Sequence, residues 1–230
     1  MGIKTWFGGN QKDSSRDAKI FCISFQRNGT KSTGQFFRDH GYSVARARKG
    51  RELGWTLEYF KGNYQAILRS SYFKSNQVFE DDPWWIGEFY KILFHEFPDS
   101  KFVLFDRDPD KWFNSMMKHS NGRSLGNTHR HSIVYDRLTD FYCLPDADER
   151  TYTMSLDNML PLTDENREKY IHVYTDRNRE VKNFFKKFGE ERIFISTLEN
   201  SSLWTDLGSF LGIDVAVDYS AHENKTKSKV

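Results

Sequence analysis

Short apolar runs, each followed by a polar turn, divide the chain into predicted strands. Residues 20–25, 101–105 and 192–196 are almost continuous stretches of apolar and β-branched side chains. Runs of this length are typical of strands that are buried on both faces of a parallel sheet. Two weaker runs, residues 43–48 and 76–79, predict shorter strands.

Between these runs, apolar residues recur at helical spacing. Residues 55–69 carry six of them and predict one amphipathic helix. Pro83 is placed to open another helix, with Asp82 as its N-cap. Other predicted helices follow residues 26–33 and the Asp108-Pro109 turn, and the last two span residues 170–188 and 201–211.

Strands that alternate with helices predict an α/β fold, a doubly wound parallel sheet with helices on both faces. Ligands of such sheets bind at the carboxyl ends of the strands. The length fits a single domain over residues 1–230, with residues 1–17 expected to be loose. Residues 119–165 show no steady period and are too long for a plain connection. They predict a substrate-covering loop or a small helical excursion.

Composition narrows the classes of protein that fit. A mean hydropathy of −0.74 and the absence of an 18-residue apolar run give no sign of a membrane protein. The formal charge of +2 is too small to indicate a general nucleic-acid binder. No apolar stretch suited to a signal peptide is visible near residue 1, so we expect a cytoplasmic protein. The oligomeric state stays open.

The cysteines and the histidine pair suggest no further chemistry. Cys22 and Cys143 are expected to be buried free thiols in a reducing compartment. His129 and His131 lack further ligand-type spacing, so we interpret them as surface histidines. We therefore predict no metal site.

The turn after the first strand predicts an anion site. Residues 26–33 combine the cations Arg27 and Lys31 with three hydroxyl groups, and a helix follows directly. Backbone N–H groups at the start of a helix point at an anion in this layout. Some α/β proteins have a similar turn without a ligand. An ordinary nucleoside-triphosphate loop is excluded, because the chain contains no Gly-Lys dipeptide.

A second polar turn follows the predicted strand at residues 101–105. Arg107 lies just past the strand end, and Ser115 is eight residues further, about two turns into the next helix. Alone, Arg107 could equally be a surface residue that caps neighbouring carbonyl groups. Two anion sites, each at a strand end, are nevertheless what a nucleotide bisphosphate would require.

Both turns resemble elements of the sulfotransferases. The first resembles their 5′-phosphosulfate loop, commonly Pro-Lys/Arg-Ser/Thr-Gly-Thr-Thr-Ser, with Gln26 in the place of proline and Lys31 in the place of threonine. The second resembles their 3′-phosphate element, an arginine after a strand and a serine eight positions later. The resemblance covers residues 18–224, except the segment after residue 117.

The resemblance extends towards the carboxyl end of the chain. Tyr174, Arg177, Asn178 and Val181 are similar to the family's Tyr-x-x-His-Asn-x-x-Val, with Arg177 in the place of histidine. Residues 222–224 resemble a closing His-x-Asn before a nucleotide-contacting tail. A solvated terminus is an equal alternative for that tail.

The resemblance implies a function. The expected donor is 3′-phosphoadenosine 5′-phosphosulfate, the product is the 3′,5′-bisphosphate, and the acceptor is a hydroxyl or amine of a small molecule or carbohydrate. Arg27 and Lys31 would stabilise charge on the leaving phosphate without a metal. The implied nucleotide-binding residues are Arg27, Asn28, Gly29, Thr30, Lys31, Ser32, Thr33, Arg107, Ser115, Arg177, Asn224 and Lys225.

An acceptor hydroxyl also needs a general base. In the family this is a histidine or an acidic residue in a segment that resembles residues 80–83. Asp81 is the first choice and Glu80 the second, because Asp82 is predicted to cap a helix. A nucleotide or small-molecule kinase of related fold, or a catalytically silent nucleotide-binding protein, remains the alternative.

Overall fold

A computed structural model describes residues 18–151 and 156–221 and contains a five-stranded sheet. All strands are parallel, in the order β2-β3-β1-β4-β5, and Ile20 of the central strand pairs with Val78 on one side and Lys101 on the other. The predicted doubly wound α/β fold is confirmed. The strands are β1 Ile20–Cys22, β2 Val44–Ala45, β3 Val78–Phe79, β4 Lys101–Asp106 and β5 Ile193–Thr197.

Helices surround the sheet on both faces. The first six are α1 Thr30–Asp39, α2 Ala47–Glu52, α3 Trp55–Phe60, α4 Tyr64–Leu68, α5 Ser71–Lys74 and α6 Phe89–Glu96. The later ones are α7 Pro109–Ser120, α8 Thr128–Val134, α9 Leu138–Tyr142, α10 Ala147–Arg150, α11 Arg167–Phe188 and α12 Leu203–Leu211. Short 3-10 turns cover Asp164–Asn166 and Glu190–Arg192.

Each strand divides its side chains between two hydrophobic cores. In β4, Phe102 and Leu104 face a core that also contains residues of α6 and α11. Val103 and Phe105 face the opposite core, which is built with α1 and α12. This alternation follows from the two-residue period of a strand, and a strand with apolar residues on both sides must be covered on both faces.

A third, largely aromatic cluster lies beyond the carboxyl edge of the sheet. The rings of Trp112 and Tyr174 stack at 4.3 Å between centroids, and those of Tyr135 and Tyr170 at 4.4 Å. Phe25 packs against Trp112 and Tyr174 from the loop after β1. Each such pair contributes about 0.5–1.5 kcal/mol beyond the area it buries. The cluster therefore holds α7 and α11 against the edge where ligands are expected.

The predicted single helix over residues 55–69 is wrong. The structure has two helices, α3 and α4, separated by Gly62 in the left-handed region with φ 74°. The Asn63 N–H donates to the carbonyl of Glu58 at 2.9 Å and closes the first helix. The apolar spacing continues through both helices, so periodicity could not reveal the break.

The predicted helix start at Pro83 is also wrong. Asp82 and Pro83 are joined by a cis peptide bond, the chain forms turns there, and α6 begins only at Phe89. Asp82 caps no backbone group. Its Oδ1 instead accepts a hydrogen bond from the Trp85 indole N–H at 2.6 Å. Its carboxylate is thus available for another role.

Two predictions about burial need correction as well. Cys143 is exposed, although Cys22 is buried as expected, and both are free thiols. His131 is buried rather than on the surface, and burial lowers its pKa to about 3. Its Nδ1 accepts from the Leu125 N–H at 3.2 Å, while Nε2 lies 2.7 Å from the Tyr170 hydroxyl. It is therefore a neutral histidine inside the aromatic cluster.

Residues 119–165 form the small helical excursion that was one of the two predictions for this segment. Helices α8, α9 and α10 lie within it, although residues 152–155 are outside the described ranges. Among the described residues, no helix is both long and apolar enough to cross a membrane.

The break at Gly62 can be tested, because a substitution there should change the free energy of unfolding in opposite directions for a broken helix and for a continuous one. Gly62→Ala should lower the free energy of unfolding by about 1–2 kcal/mol, because alanine is strained at a positive φ. Gly62→Asn should cost less, since asparagine tolerates this region. Urea denaturation measures both variants. A stabilised Gly62→Ala protein would instead indicate one continuous helix over residues 55–69.

Candidate active site

The loop between β1 and α1 presents free backbone donors to an anion. Within the described ranges, the N–H groups of Gly29, Thr30, Lys31 and Ser32 donate no hydrogen bond. Gly29 has φ 73°, and a Cβ there would lie 2.7 Å from Cδ2 of Leu198. Only glycine fits this position, so the residue predicted for the turn has a steric reason to be there.

Asn28 and Thr33 do not face this loop's concave side. The Asn28 side chain is fully buried and donates to the Phe105 carbonyl at 3.1 Å and the Tyr174 hydroxyl at 3.0 Å. Its N–H already donates to the carbonyl of Phe25, and the Thr33 hydroxyl donates to the carbonyl of Gly29. These bonds hold both side chains within the protein, and their predicted nucleotide contacts stay predictions.

Asp106, at the end of β4, fixes the backbone of the second predicted anion site through its hydrogen bonds. Asp106 Oδ1 accepts from the Tyr174 hydroxyl and the Arg107 N–H, both at 2.9 Å, and from Asn178 at 3.0 Å, while Oδ2 pairs with Lys182. Burial alone would raise the pKa of Asp106, but Lys182 and the Arg107 N–H lower it below the ordinary value. The stable carboxylate fixes the backbone from which the Arg107 side chain projects.

The two predicted anion sites meet. Nε of Arg27 donates to the Ser115 hydroxyl at 3.4 Å, and Nε of Arg107 is buried without a hydrogen-bond partner in the described ranges. Burial and then the charge of Arg107 lower the pKa of Arg27, so the two guanidinium groups repel each other. Glu199 reaches Arg107 only at 3.7 Å. A bound anion between the two arginines would relieve this repulsion.

A cavity of about 810 Å³, the larger cavity, connects these groups. Loops after β1, β4 and β5 form its walls, as expected for the carboxyl edge of a parallel sheet. Its remaining wall includes Trp204 and Tyr219, two aromatic side chains. Eight predicted site residues line it: Arg27, Gly29, Thr30, Lys31, Ser32, Asp81, Arg107 and Ser115.

Asp81 and Asp82 form an acidic pair at the edge of this cavity. Burial raises the pKa of Asp81, although Arg51 opposes the shift. Burial and the neighbouring Asp81 raise the pKa of Asp82 to about 7. Two adjacent carboxyl groups that cannot both ionise easily share a proton near neutral pH.

A second cavity of about 310 Å³, the smaller cavity, adjoins the larger one. Asp82 lines both cavities, whereas Asp81 lines only the larger one. Glu80 lines neither, because its side chain is buried against Gly34 of α1. The wall that the two cavities share consists of Gln26, Arg51, Asp82, Leu125, Gly126 and Leu156.

Arg177, a predicted nucleotide-binding residue, lies in the protein interior and away from the larger cavity. It is buried, its Nη1 donates to the carbonyl of Ile23 at 2.7 Å, and its guanidinium lies against the rings of Phe25 and Tyr90. It lines neither cavity. Burial lowers its pKa to about 10. Asn224 and Lys225 lie outside the described residues, so their predicted roles stay predictions.

Comparison with known families agrees with this geometry. A family model described as a sulfotransferase domain, Sulfotransfer_4, matches residues 19–228. The chain belongs to this sulfotransferase family. No curated protein matches the chain significantly.

Three residues that line the larger cavity were not among the residues predicted for the site. Asp82 was interpreted as a helix cap, and Arg51 was given no role. His119 lines the larger cavity one helical turn after Ser115, and that spacing on α7 was the available signal. Burial and then Arg27 lower the pKa of His119, which favours its neutral form.

The Tyr174 hydroxyl gives a test of the network under Arg107. Tyr174→Phe should lower the free energy of unfolding by about 1–3 kcal/mol, because Asn28, Asp106 and the Arg107 N–H each lose a buried partner. Urea denaturation measures the loss. Tyr142→Phe is the matched control, because Tyr142 is 60% exposed. Equal stability of the two variants would contradict the network.

The raised pKa of Asp82 can be tested through the pH dependence of protein stability. Because the folded pKa of Asp82 lies above its unfolded value, the wild type should lose stability as pH rises from 4 to about 7. The Asp82→Asn variant should not show this loss. Its free energy of unfolding, relative to that of the wild type, should therefore rise by about 1–3 kcal/mol between pH 5 and pH 8. Thermal unfolding across this range measures it, with the exposed Asp110→Asn as the control for net charge. A constant difference would mean that Asp82 ionises normally.

Proposed function

We propose that the protein transfers a sulfuryl group from 3′-phosphoadenosine 5′-phosphosulfate to a hydroxyl group of a small molecule. The observation that carries the proposal is the larger cavity, in which free N–H groups of α1, two mutually repelling arginines and an acidic pair meet. Membership of a sulfotransferase family supports the reaction class.

The residues fit a nucleotide with two separate anionic ends. The N–H groups of Thr30, Lys31 and Ser32, together with Arg27, would hold the 5′-phosphosulfate at the start of α1. Arg107, whose Nε has no hydrogen-bond partner, and Ser115 would hold the 3′-phosphate. Trp204 and Tyr219 offer flat surfaces on the same cavity for the adenine ring.

The donor supplies an activated sulfuryl group, and the protein's part is positioning and charge. As the S–O bond to the phosphate breaks, Arg27 and the α1 N–H groups stabilise the charge that develops on the departing oxygen. The new O–S bond forms at the acceptor oxygen, whose proton must pass to a base. No electron is gained or lost.

The geometry favours Asp82 over Asp81 as that base. Asp82 borders both cavities, so it can reach an acceptor oxygen in the smaller cavity that faces the donor in the larger one. A pKa of about 7 suits proton transfer near neutral pH. Asp81 then acts through its charge, because it is the neighbour that raises the pKa of Asp82.

Nucleotide binding tests the proposal directly. Adenosine 3′,5′-bisphosphate at a hundredfold excess over its dissociation constant should stabilise the fold by about 2.7 kcal/mol, measured by thermal unfolding. ATP with magnesium should stabilise it much less. Stabilisation by ATP with magnesium alone would contradict sulfuryl transfer and favour the kinase alternative.

The Arg107→Ala variant tests whether Arg107 binds the 3′-phosphate of the nucleotide. Arg107→Ala should weaken bisphosphate binding by about 1.5–3 kcal/mol and leave the binding of adenosine 5′-monophosphate nearly unchanged. Arg167→Ala is the matched control, since Arg167 pairs with Asp110 outside both cavities. Equal losses for both nucleotides would mean that Arg107 is structural.

A further inference from the structure

The smaller cavity combines an apolar wall with an arginine. Trp85, Ile86 and Phe60 form part of the wall, and Asp82 lies at the boundary with the larger cavity. Arg130 of α8 also lines the smaller cavity but not the larger one. A cavity of about 310 Å³ is at the small end of ligand sites. It has room for a compact ring compound rather than a polymer.

Arg130 has no ion-pair partner among the described residues. Its Nε is buried without a hydrogen bond, and burial lowers its pKa although the charges of Asp82 and Asp157 oppose the shift. Asp157 Oδ1 accepts from the N–H of Thr128 at 2.7 Å and from the Thr128 hydroxyl at 2.6 Å, and its Oδ2 is buried without a hydrogen-bond partner in the described ranges, so Asp157 acts on Arg130 through its charge and not through an ion pair. The Nε–H of Arg130 is thus a buried donor that lacks an acceptor among the described residues.

The other charged residues that line this cavity form no ion pair with Arg130 in the described ranges. Glu52 is the remaining carboxylate of the lining, and it pairs with Arg48 and Lys49 at 3.1 and 3.2 Å. Arg51 lines both cavities and acts on the acidic pair, where it lowers the pKa of Asp81 against the effect of burial. Arg130 is therefore the cation that lines the smaller cavity without also lining the larger one, and its unpartnered Nε offers a donor to an anion there.

We propose that the acceptor is a ring-bearing hydroxyl compound with a carboxylate or similar anionic group, and that Arg130 selects it by binding that group. The ring would pack against Trp85 and Ile86 while the hydroxyl faces Asp82. This inference rests on the proposed function only in that the hydroxyl is the group to which the sulfuryl group is transferred. Recognition of the anion by Arg130 is a separate property of the smaller cavity.

Binding of two small probes without a reactive hydroxyl tests the inference apart from catalysis. 3-Phenylpropionate and 3-phenylpropanamide share a ring and differ in charge. Calorimetry on the wild type, saturated with adenosine 3′,5′-bisphosphate or without it, should show the acid to bind about tenfold to a hundredfold more tightly. Arg130→Gln should remove the difference, and Arg130→Lys should restore part of it because lysine keeps the charge.

Arg123→Gln is the matched control, because Arg123 is an exposed arginine near the same segment that lines neither cavity. It should keep the preference for the acid. Equal affinity for both probes, no binding of either up to about 10 mM, or a preference that survives Arg130→Gln would overturn the inference.

Transfer rates connect the probes to the reaction. With the donor present, 3-(4-hydroxyphenyl)propionate should be sulfated with a lower KM than its amide or tyramine, and only in proteins that retain Arg130. Bisphosphate binding without any preference for the acid would leave the proposed function intact and refute this inference. An Arg130-dependent preference without bisphosphate binding would refute the proposed function alone.

Discussion

The site depends on one hydroxyl group, that of Tyr174. It accepts from Asn28, which follows β1, and from the Arg107 N–H after β4, and it donates to Asp106. These bonds connect α11 to two neighbouring strand ends and fix the spacing between the two turns for which anion binding is proposed. Because every member is buried or half-buried, the network holds that spacing more firmly than exposed contacts would. A rigid spacing is what a ligand with two separate phosphates requires.

The charges around this network are arranged unfavourably unless a ligand is bound. Arg27 and Arg107 repel each other, and the Arg107 and Arg130 side chains each bury a nitrogen that finds no acceptor among the described residues. On the other side of the larger cavity, burial and then the neighbouring Asp81 raise the pKa of Asp82 to about 7. Cations cluster where anions would bind, and the acidic pair lies where a proton would be released. Such local costs in stability are typical of functional sites.

The sequence predicted the alternation of strands and helices and the polar turn between β1 and α1, because these features depend on local patterns. A buried strand followed by Arg27 to Ser32 needs no tertiary information to be recognised. Asn28 and Arg177 show the limit of such patterns, since their type and position fit an anion site while their side chains bond to groups that are distant in sequence. Arg177 donates to the carbonyl of Ile23, a contact that no spacing rule could indicate.

Asp82 shows most clearly why local rules fail at a site. An aspartate before a proline and an apolar stripe satisfies every rule for a helix start. The same residues also suit a turn in which the carboxylate is held by Trp85 and turned toward two cavities. Packing of Trp84 and Trp85 into two different cores decides between them, because a helix could not place adjacent rings on opposite sides. The position of the proposed base is therefore determined by where two tryptophans pack.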